Sequence, residues 1–319
     1  MKYLVTGSAG FIGFHTASAL LKRGDEVVGI DNFNDYYSTK LKYDRNSILE
    51  KNAGFRSIHT DLCSDSEIRD IFESERFDKV CTLAAQAGVR YSLDHPHTYV
   101  SSNIRGFLNI LEGCRHTGVK RCVYASSSSV YGGNRDLPFS VNDRVDNPVS
   151  LYAASKKANE LMAHCYTHLY GFETVGLRFF TVYGPWGRPD MAMWLFTDAI
   201  LKNKPIDVYN NGDMQRDFTY IDDIVKGILA SLDAEGLESY EVFNLGNHKS
   251  ENLLDLISLI EDTIGKKAEK IFLPMQPGDV KATYADIDKT ADKLGFLPET
   301  SIREGVPEFI EWYRDYHAV

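Results

Sequence analysis

A tyrosine and a lysine, Tyr152 and Lys156, have side chains whose types and spacing could perform acid–base chemistry. They lie in the segment 151–169, whose apolar residues recur with a helical period, so the two side chains are predicted to share one helix face, one turn apart. A phenol, with a pKa of about 10, is a poor base at neutral pH, but a neighbouring ammonium favours its phenolate. Tyr152 is therefore a candidate acid/base, although the same spacing also occurs in ordinary surface pairs on helices.

A run of serines, Ser126 to Ser129, follows the predicted strand 121–125. Serines that leave a strand usually satisfy backbone groups of a turn. At the carboxyl end of a parallel strand, however, one hydroxyl could hydrogen-bond a substrate alcohol and share its proton with Tyr152. The run therefore offers a second component of the same chemistry.

Three glycines, Gly7, Gly10 and Gly13, lie between the predicted strand 3–6 and the predicted helix 14–23. Glycines in this context allow a tight turn and a close approach of the backbone to a pyrophosphate, whose charge is stabilised at the helix N-terminus. The spacing is GxxGxxG rather than GxGxxG. Because a tight strand–helix turn alone could explain it, the dinucleotide site needs a second signal.

That second signal is Asp31, which ends the next predicted strand, 26–30. A carboxylate at this position can hydrogen-bond both hydroxyls of an adenosine ribose and repel a 2′-phosphate. The predicted cofactor is therefore NAD rather than NADP. The downstream cations Lys40, Lys42 and Arg45 leave NADP open as the alternative.

Two further segments follow predicted strands and fit the same site. Asp61 and Leu62 follow the strand 55–59, and the small residues of 84–88 follow the strand 79–83. Small residues allow cofactor atoms close to the backbone, although ordinary helix-cap packing explains either segment equally well. The predicted cofactor-binding residues are Gly7, Gly10, Phe11, Ile12, Gly13, Asp31, Asp61, Leu62, Ala84, Ala85, Tyr152 and Lys156.

The elements that must position these residues alternate as strands and amphipathic helices up to about residue 175. This rhythm, with strands at 3–6, 26–30, 55–59, 79–83, 121–125 and 174–177, predicts an α/β fold with a doubly wound parallel sheet of Rossmann type. A Gly/Pro-rich loop at 183–189 then leads to shorter strands, 206–209 and 240–245, and to helices at 253–264 and 302–316. We expect a cofactor-binding domain, 1–180, and a smaller C-terminal α/β substrate domain, 181–319, with interleaved boundaries.

Composition excludes several classes of function. The 319 residues carry 35 Lys and Arg against 45 Asp and Glu, a net charge of −10 that disfavours nucleic acid and anionic lipid surfaces as partners. No stretch approaches the roughly 20 apolar residues that span a bilayer, so no membrane association is expected. The five scattered cysteines form no CxxC pair and predict reduced thiols in the cytoplasm, and no metal site is expected from the histidines.

At this point the sequence resembles the extended short-chain dehydrogenase/reductase family, specifically its nucleotide-sugar epimerases and dehydratases. The resemblance covers essentially the whole chain and rests on Gly7-x2-Gly10-x2-Gly13, Asp31, Asp61-Leu62, the segment 126–132, Tyr152-x3-Lys156, Arg178-Phe-Phe-x-Val-Tyr-Gly-Pro185 and Arg216-Asp-Phe-x-Tyr-Ile-Asp-Asp223. It implies a catalytic triad of Ser127, Tyr152 and Lys156. It also implies that Arg216 pairs with a nucleotide phosphate and that Asp279, in the motif Pro277-Gly-Asp279, lies near the nucleotide. A homodimer formed through helices equivalent to 97–117 and 151–169 is a further implication.

The residues after Ser127 indicate which reaction the family resemblance favours. The 4,6-dehydratases have an Asp-Glu pair there and the UDP-glucuronate decarboxylases have a Glu before Val-Tyr-Gly, whereas this chain has Ser128 and Ser129. Elimination needs a positioned acid and base, so their absence favours epimerisation at C4. The UDP-sugar is the expected substrate.

Among epimerases, the stretch from Arg178 to Arg188-Pro-Asp-Met-Ala, with Gly88-Val-Arg90-Tyr-Ser and Asn134-x3-Pro138-Phe-Ser, resembles the UDP-glucuronate 4-epimerases. Thr181 stands where UDP-galactose 4-epimerases carry Asn, and Arg188 beside it could hold a uronic carboxylate by charge-assisted bonds. Arg188 could equally be a cation at the rim of a Gly/Pro loop. The predicted substrate-binding residues are Arg90, Ser127, Ser128, Tyr152, Thr181, Arg188, Arg216 and Asp279. A decarboxylase or UDP-glucose 4-epimerase of the same fold, or a non-catalytic NAD sensor, remains the alternative.

Overall fold

The computed structural model describes residues 1–276 and 278–319. Pro277, the first residue of the motif 277–279, lies outside the described residues. The strands are β1 (Lys2–Thr6), β2 (Glu26–Asp31), β3 (Phe55–His59), β4 (Lys79–Thr82), β5 (Arg121–Ser127), β6 (Glu173–Phe179), β7 (Thr181–Tyr183), β8 (Ile206–Val208), β9 (Gln215–Arg216), β10 (Phe218–Tyr220), β11 (Tyr240–Leu245), β12 (Glu251–Asn252) and β13 (Lys270–Phe272). The α-helices are α1 (Phe11–Lys22), α2 (Thr39–Leu49), α3 (Asp65–Glu75), α4 (Tyr91–Asp94), α5 (Pro96–Tyr99), α6 (Gly106–Thr117), α7 (Leu151–Tyr170), α8 (Ala192–Leu201), α9 (Ile221–Asp233), α10 (Leu253–Ile264), α11 (Asp288–Leu294) and α12 (Ile302–His317).

The central sheet has seven parallel strands in the order β11-β6-β5-β4-β1-β2-β3. Its first strand is buried on both faces: Tyr3 and Val5 belong to one hydrophobic core and Leu4 to a second. Helices α1 and α9 contact each other on one side, whereas α3, α6 and α7 lie against each other on the other side. The predicted α/β fold with a doubly wound parallel sheet is therefore confirmed.

The order of the strands reverses between β1 and β4. From β1 the chain moves outward through β2 and β3, and from β4 it moves outward in the opposite direction through β5 and β6. Open α/β sheets bind ligands at such a switch point, beyond the carboxyl ends of the strands. The turns after β1, β4 and β5 carry the glycines, the small residues and the serines identified in the sequence.

The strand β11 is the main departure from the expected layout. The sequence assigned 240–245 to the second part of the chain, but β11 pairs with β6 and forms the edge of the central sheet. A pattern of apolar residues identifies a strand without indicating its neighbour, so this return of the chain could not be foreseen. The division at residue 180 stays a prediction, and a strand from beyond it completes the first part.

Three small sheets, β7 with β10, β9 with β12 and β8 with β13, lie in the C-terminal half of the chain. The first two carry Thr181 and Arg216, which the sequence assigned to the substrate. Along residues 1–276 and 278–319, no helix combines the length and apolarity needed to cross a membrane.

Candidate active site

A cavity of about 990 Å³ lies at the carboxyl ends of the central strands. Every site residue predicted from the sequence lines it, from Gly7 to Asp279. The full set is Gly7, Gly10, Phe11, Ile12, Gly13, Asp31, Asp61, Leu62, Ala84, Ala85, Arg90, Ser127, Ser128, Tyr152, Lys156, Thr181, Arg188, Arg216 and Asp279. The fold thus brings together residues that are up to 272 positions apart in the chain.

The glycine-rich turn between β1 and α1 is packed too tightly for any residue but glycine, and it presents donors that suit a pyrophosphate. A Cβ atom on Gly13 would lie 2.0 Å from the Gly7 carbonyl oxygen, and one on Gly7 would lie 2.9 Å from the Ala84 nitrogen. Gly10 caps α1 without a side chain, and the first turn of the helix has no acidic residue. The helix N-terminus therefore presents backbone N–H groups and its positive dipole end to an anion.

Asp31 lies at the end of β2 with its carboxylate fixed by two backbone groups. Its oxygens accept hydrogen bonds from the nitrogens of Ala9 at 3.2 Å and Phe33 at 2.9 Å. Each carboxylate oxygen keeps further lone pairs, which suit the two hydroxyls of a ribose. The nearby Lys42 donates instead to the backbone and side-chain oxygens of Asn34 at 2.7 and 2.8 Å.

Asp61 is also held by neighbours at the rim of this part of the cavity. Its oxygens accept from the Asn32 amide at 2.7 Å and from the Cys63 nitrogen at 2.8 Å. Burial alone would raise the pKa of Asp61, but these hydrogen bonds outweigh burial and lower it below its usual value. The carboxyl group is therefore ionised at neutral pH.

The Tyr–Lys pair lies in the first two turns of α7, which begins after the capping residue Ser150. The Lys156 ammonium donates to the Ala125 carbonyl at 2.8 Å, so it is anchored to β5. Burial lowers the pKa of Lys156 to about 8. Burial also raises the pKa of Tyr152, while a hydrogen bond with Ser127 and the charge of Arg188 act in the opposite direction. The net shift of Tyr152 is thus opposite to the one expected from a Tyr–Lys pair, because removal of the phenol from water outweighs the neighbouring groups.

Ser127 is the last residue of β5 and performs the turn role that serines commonly have. Its hydroxyl accepts from the Ser129 nitrogen at 3.1 Å and donates to the Ser129 hydroxyl at 3.1 Å. Ser127 and Tyr152 line the same cavity, and interaction with the Ser127 hydroxyl acts to lower the pKa of Tyr152. The turn role of the serine run is therefore observed, and its role toward a substrate alcohol stays a prediction.

A buried ion pair that the sequence did not reveal holds this catalytic end together. Glu160, on α7, accepts from Arg178 at 2.8 and 2.9 Å and from the Ser126 hydroxyl at 2.7 Å. Arg178 also donates to the Tyr131 hydroxyl at 3.1 Å. These contacts tie α7 to β5 and β6, and so fix Tyr152 relative to Ser127. Arg178 belonged to a quoted motif, but no signal in the sequence indicated its partner.

Arg188, which also lines the cavity, has a partner that the sequence did not indicate. Its guanidinium binds the Asp190 carboxylate through two nitrogens, one of them Nε at 3.0 Å from Oδ1. Asp190 also accepts from the Tyr36 hydroxyl at 3.0 Å. Arg188 therefore contacts Asp190 rather than standing as a free cation beside Thr181, although both Arg188 and Thr181 line the cavity.

Two further predicted residues, Arg90 and Asp279, form an ion pair across the cavity. Arg90 donates to Asp279 at 2.9 Å and lies over the ring of Tyr209, with 4.5 Å from Cζ to the ring centre. Arg216 donates to the carbonyl oxygens of Gln215 at 2.8 Å and Lys281 at 3.2 Å. Burial lowers the pKa of Arg216 from its usual value, with Asp279 acting in the opposite direction. These cations suit a diphosphate at this end of the cavity.

Comparison with known proteins agrees with this geometry. Residues 3–246 match the model of the NAD dependent epimerase/dehydratase family. UDP-glucuronate 4-epimerase 2 of Arabidopsis thaliana is 48% identical over 330 residues, which span 98% of this chain and 76% of that protein. Protein CapI of Staphylococcus aureus is 50% identical over 334 residues, or 99% of both chains.

Among solved structures, a UDP-glucuronic acid 4-epimerase from Bacillus cereus in complex with UDP-glucuronic acid and NAD is 37% identical. Its TM-score is 0.93, and the match covers 99% of this chain and 100% of that one. The family resemblance inferred from the motifs is thus confirmed. This chain belongs to the NAD-dependent epimerase/dehydratase family.

Proposed function

We propose that the protein interconverts UDP-glucuronate and UDP-galacturonate by inverting C4 of the sugar, with NAD as its bound cofactor. The observation that carries this proposal is the position of Arg188, which lines the same cavity as Ser127 and Tyr152 and whose charge partly opposes the rise that burial causes in the pKa of Tyr152. A guanidinium at the reacting end suits a sugar that carries a carboxylate. The relatives from Arabidopsis thaliana and Bacillus cereus named above are UDP-glucuronate 4-epimerases.

The residues of the glycine-rich turn fit NAD. The turn packs so tightly that only glycine fits, because the Cβ positions of its glycines meet backbone atoms, and these glycines line the cavity. Asp31 is fixed where it can accept from two ribose hydroxyls. Asp31 is an anion that disfavours a 2′-phosphate. Held by these residues, bound NAD would supply the acceptor, and in the return step the donor, of the hydride at C4 of the sugar.

The residues of the chain supply the proton transfer and the positioning. Tyr152 can accept a proton only as its phenolate, which the hydrogen bond from Ser127 and the charge of Arg188 favour and which the positive nicotinamide ring of bound NAD would favour further. The phenolate then takes the proton of the C4 hydroxyl, and a 4-keto sugar results. Lys156 remains fixed to the end of β5 through Ala125 and keeps a positive charge beside the site. Arg216 and Arg90 hold the diphosphate while the sugar turns about its phosphate linkage and presents the other face of the ketone. Tyr152 then returns the proton.

Alternative activities of the same fold need groups that the serine turn does not supply. A dehydratase or decarboxylase requires an acid next to the catalytic hydroxyl, and this chain has Ser128 and Ser129 there. A UDP-glucose 4-epimerase would not need a cation at the sugar, and the presence of Arg188 in the cavity supports the charged sugar instead. A non-catalytic NAD sensor has no use for the triad of Ser127, Tyr152 and Lys156.

The test is incubation of the NAD-loaded protein with UDP-glucuronate and with UDP-glucose in separate reactions, followed by NMR of the sugar products. We expect UDP-galacturonate from the first reaction and little UDP-galactose from the second. UDP-pentose as the main product would assign a decarboxylase, and equal turnover of both sugars would remove Arg188 as the basis of selectivity. The absence of turnover with either sugar would favour the alternative of a non-catalytic NAD sensor.

The chain is also proposed to form a homodimer through α6 and α7. Two leucines on α7, Leu161 and Leu169, are 57% and 64% exposed, and Val100 and Leu108 are exposed on the neighbouring helical segment. A second copy of this face would cover these side chains. Light scattering of Leu161→Glu should show a shift from dimer to monomer. A cytoplasmic location stays a prediction, with which the five free cysteines are compatible.

A further inference from the structure

Arg45 is a buried cation that neither the cofactor nor the catalytic chemistry uses. Its side chain is fully buried, and its two terminal nitrogens donate to four neutral oxygens, those of Ala9, Tyr37, Trp186 and Gly187. Its Nε has no hydrogen-bond partner among the described residues. Burying a guanidinium without a carboxylate partner is energetically costly, so its contacts need an explanation.

The four acceptors belong to two regions that are far apart in the sequence. The Ala9 carbonyl, 3.0 Å from Arg45, lies inside the glycine-rich turn. The carbonyls of Trp186 and Gly187 immediately precede Arg188, and the second is 3.1 Å from Arg45. One guanidinium thus joins the turn that fits the pyrophosphate to the loop that carries the cation of the sugar site.

The same loop has a second attachment to the cofactor-binding half. The His15 ring, on α1, binds the Pro185 carbonyl at 2.9 Å, and since a carbonyl can only accept, His15 donates. Three consecutive carbonyls, those of residues 185, 186 and 187, are therefore held by side chains from α1 and α2. Burial lowers the pKa of His15 to about 4, so the ring is neutral at physiological pH.

The backbone of the loop is itself in a conformation that needs such support. Trp186 has a φ of +61°, in the left-handed region that a bulky side chain rarely adopts. Its ring packs between Phe14 and Trp312, with ring centres at 5.6 and 5.3 Å. Strained residues persist only where surrounding contacts hold them, and here those contacts come from Arg45, His15 and the two rings.

We propose that Arg45 is a positioning residue for Arg188: it holds the two carbonyls that precede Arg188 against the glycine-rich turn, and so fixes the carboxylate-binding cation relative to the dinucleotide. The inference rests on the proposed function, in which Arg188 binds the uronic carboxylate. A fixed Arg188 keeps the carboxylate in one orientation, whereas a loose one allows the C5–C6 bond of the 4-keto intermediate to align with the ketone. That alignment releases carbon dioxide and leaves the electron pair of the broken bond on C5, which then takes a proton.

The variant Arg45→Lys tests the proposal, because an ammonium keeps the charge but cannot bridge acceptors on both sides as a planar guanidinium does. We expect the dissociation constant of UDP-glucuronate, measured by calorimetry on the NAD-loaded protein, to rise about tenfold, as for the loss of one charge-assisted hydrogen bond. The dissociation constant of UDP-glucose should change less than about twofold. The fraction of UDP-pentose per turnover should rise. His15→Phe should shift the same ratio in the same direction by less.

The matched control is Arg121→Lys. Arg121 is also buried and also donates to backbone carbonyls, those of Ser231, Leu232 and Ala234. It differs from Arg45 in having a carboxylate partner, Glu173 at 2.6 Å, and it lies at the amino end of β5, away from the carboxyl ends where the cavity lies. The substitution Arg121→Lys should lower the melting temperature without changing the ratio of the dissociation constants of UDP-glucuronate and UDP-glucose. The positioning role would be overturned if Arg45→Lys lost affinity for both sugars equally. It would also be overturned if the ratio of the two dissociation constants were unchanged in both Arg45→Lys and His15→Phe. If the unmodified protein binds both sugars equally, the proposed function itself fails. The measurement on the unmodified protein therefore distinguishes failure of the proposed function from failure of the positioning role of Arg45. Should Arg45→Lys fail to fold, His15→Phe decides alone.

Discussion

The glycine-rich turn and the loop 183–190 line the same cavity but are built in opposite ways. The turn presents backbone N–H groups that suit an anion. It requires glycine rather than a residue with a side chain, since a Cβ on Gly13 would lie 2.0 Å from the Gly7 carbonyl. The loop presents a charged side chain, Arg188, and depends on contacts from residues more than 140 positions away. Local spacing thus specifies the first site, and tertiary structure specifies the second.

The two regions also differ in how they balance charge. The turn has no ionised side chain of its own, whereas Arg188 is already neutralised by Asp190. Burial alone would raise the pKa of Asp190, but the charge of Arg188 outweighs burial and lowers it. If Arg188 binds the uronate as proposed, the uronate must share Arg188 with an existing carboxylate. This competition allows selectivity to be tuned without a change in the fold.

The largest expected effect concerns Tyr152, whose proposed role is in the reaction rather than in either binding region. Tyr152→Phe should keep the fold and bound NAD but lose turnover by about 10²–10⁴-fold, which is the usual contribution of a positioned acid/base. The measurement is the rate of UDP-galacturonate formation, with NAD content from the absorbance of denatured protein. Tyr166→Phe, the same change further along α7, should retain full activity. Near-normal turnover of Tyr152→Phe would remove its assigned role.

The second prediction tests whether the turn requires a residue without a Cβ atom at position 13. In Gly13→Ala the new methyl group meets the backbone oxygen of Gly7, which cannot move as a flexible side chain would. We expect a loss of about 3 kcal/mol, or about 150-fold in affinity for NAD, because overpacking of a rigid site shifts the backbone. Gly133→Ala is the control, since a Cβ there has only an ordinary contact with Val149 at 3.8 Å. Unchanged NAD affinity in Gly13→Ala would mean that the turn adapts.

The third prediction concerns the loop. Arg188→Ala should weaken binding of UDP-glucuronate by about 10–150-fold, equivalent to roughly 1.5–3 kcal/mol for a charge-assisted hydrogen bond. It should spare UDP-glucose and raise the fraction of UDP-pentose. The structure adds a second contribution to this loss, because Asp190 would then face the substrate carboxylate without its partner.

A double-mutant cycle distinguishes the two contributions. If repulsion from Asp190 matters, Arg188→Ala with Asp190→Asn should recover part of the affinity that Arg188→Ala loses. No recovery would assign the whole effect to the lost attraction. Similar losses for charged and neutral sugars would place the carboxylate elsewhere, with Arg90 as the next candidate.

The contrast between the two regions also explains what the sequence could and could not predict. The glycines, Asp31 and the Tyr–Lys pair each depend on neighbours within a few residues or on the end of one strand, and the structure brings all of them to one cavity. The helix α7 was predicted within one residue of its observed bounds for the same reason. Their roles in binding and catalysis stay predictions until variants are measured.

The partners Asp190, Glu160 and Arg45 could not be assigned, because each acts through contacts made only after folding. Asp190 lies two residues from Arg188 and was part of a quoted stretch, yet nothing in the order of residues indicates that they bind each other. Glu160 stands one turn after Lys156, where a solvated helix face is the usual expectation. The pKa of Tyr152 was mispredicted for a related reason: spacing reveals a neighbouring lysine but does not reveal the extent of burial.

The smallest expected effect concerns the choice between NAD and NADP. It tests whether the Asp31 side chain adds selectivity to the glycine-rich turn, which offers only backbone groups. The carboxylate of Asp31 is held by the nitrogens of Ala9 and Phe33, so it cannot swing away from a 2′-phosphate. In Asp31→Ala combined with Asn32→Arg, the repulsion is removed and a cation is supplied, so the ratio of NADP to NAD affinity should rise about tenfold in titrations of cofactor-stripped protein. Asn32→Arg alone is the control: it adds the cation but retains the carboxylate, and a rise as large as that of the double variant would mean that Asp31 does not discriminate. Equal affinity of the unmodified protein for both dinucleotides would contradict the prediction from the outset, and Lys42, whose ammonium now binds Asn34, would then be the first cation to examine as a phosphate partner.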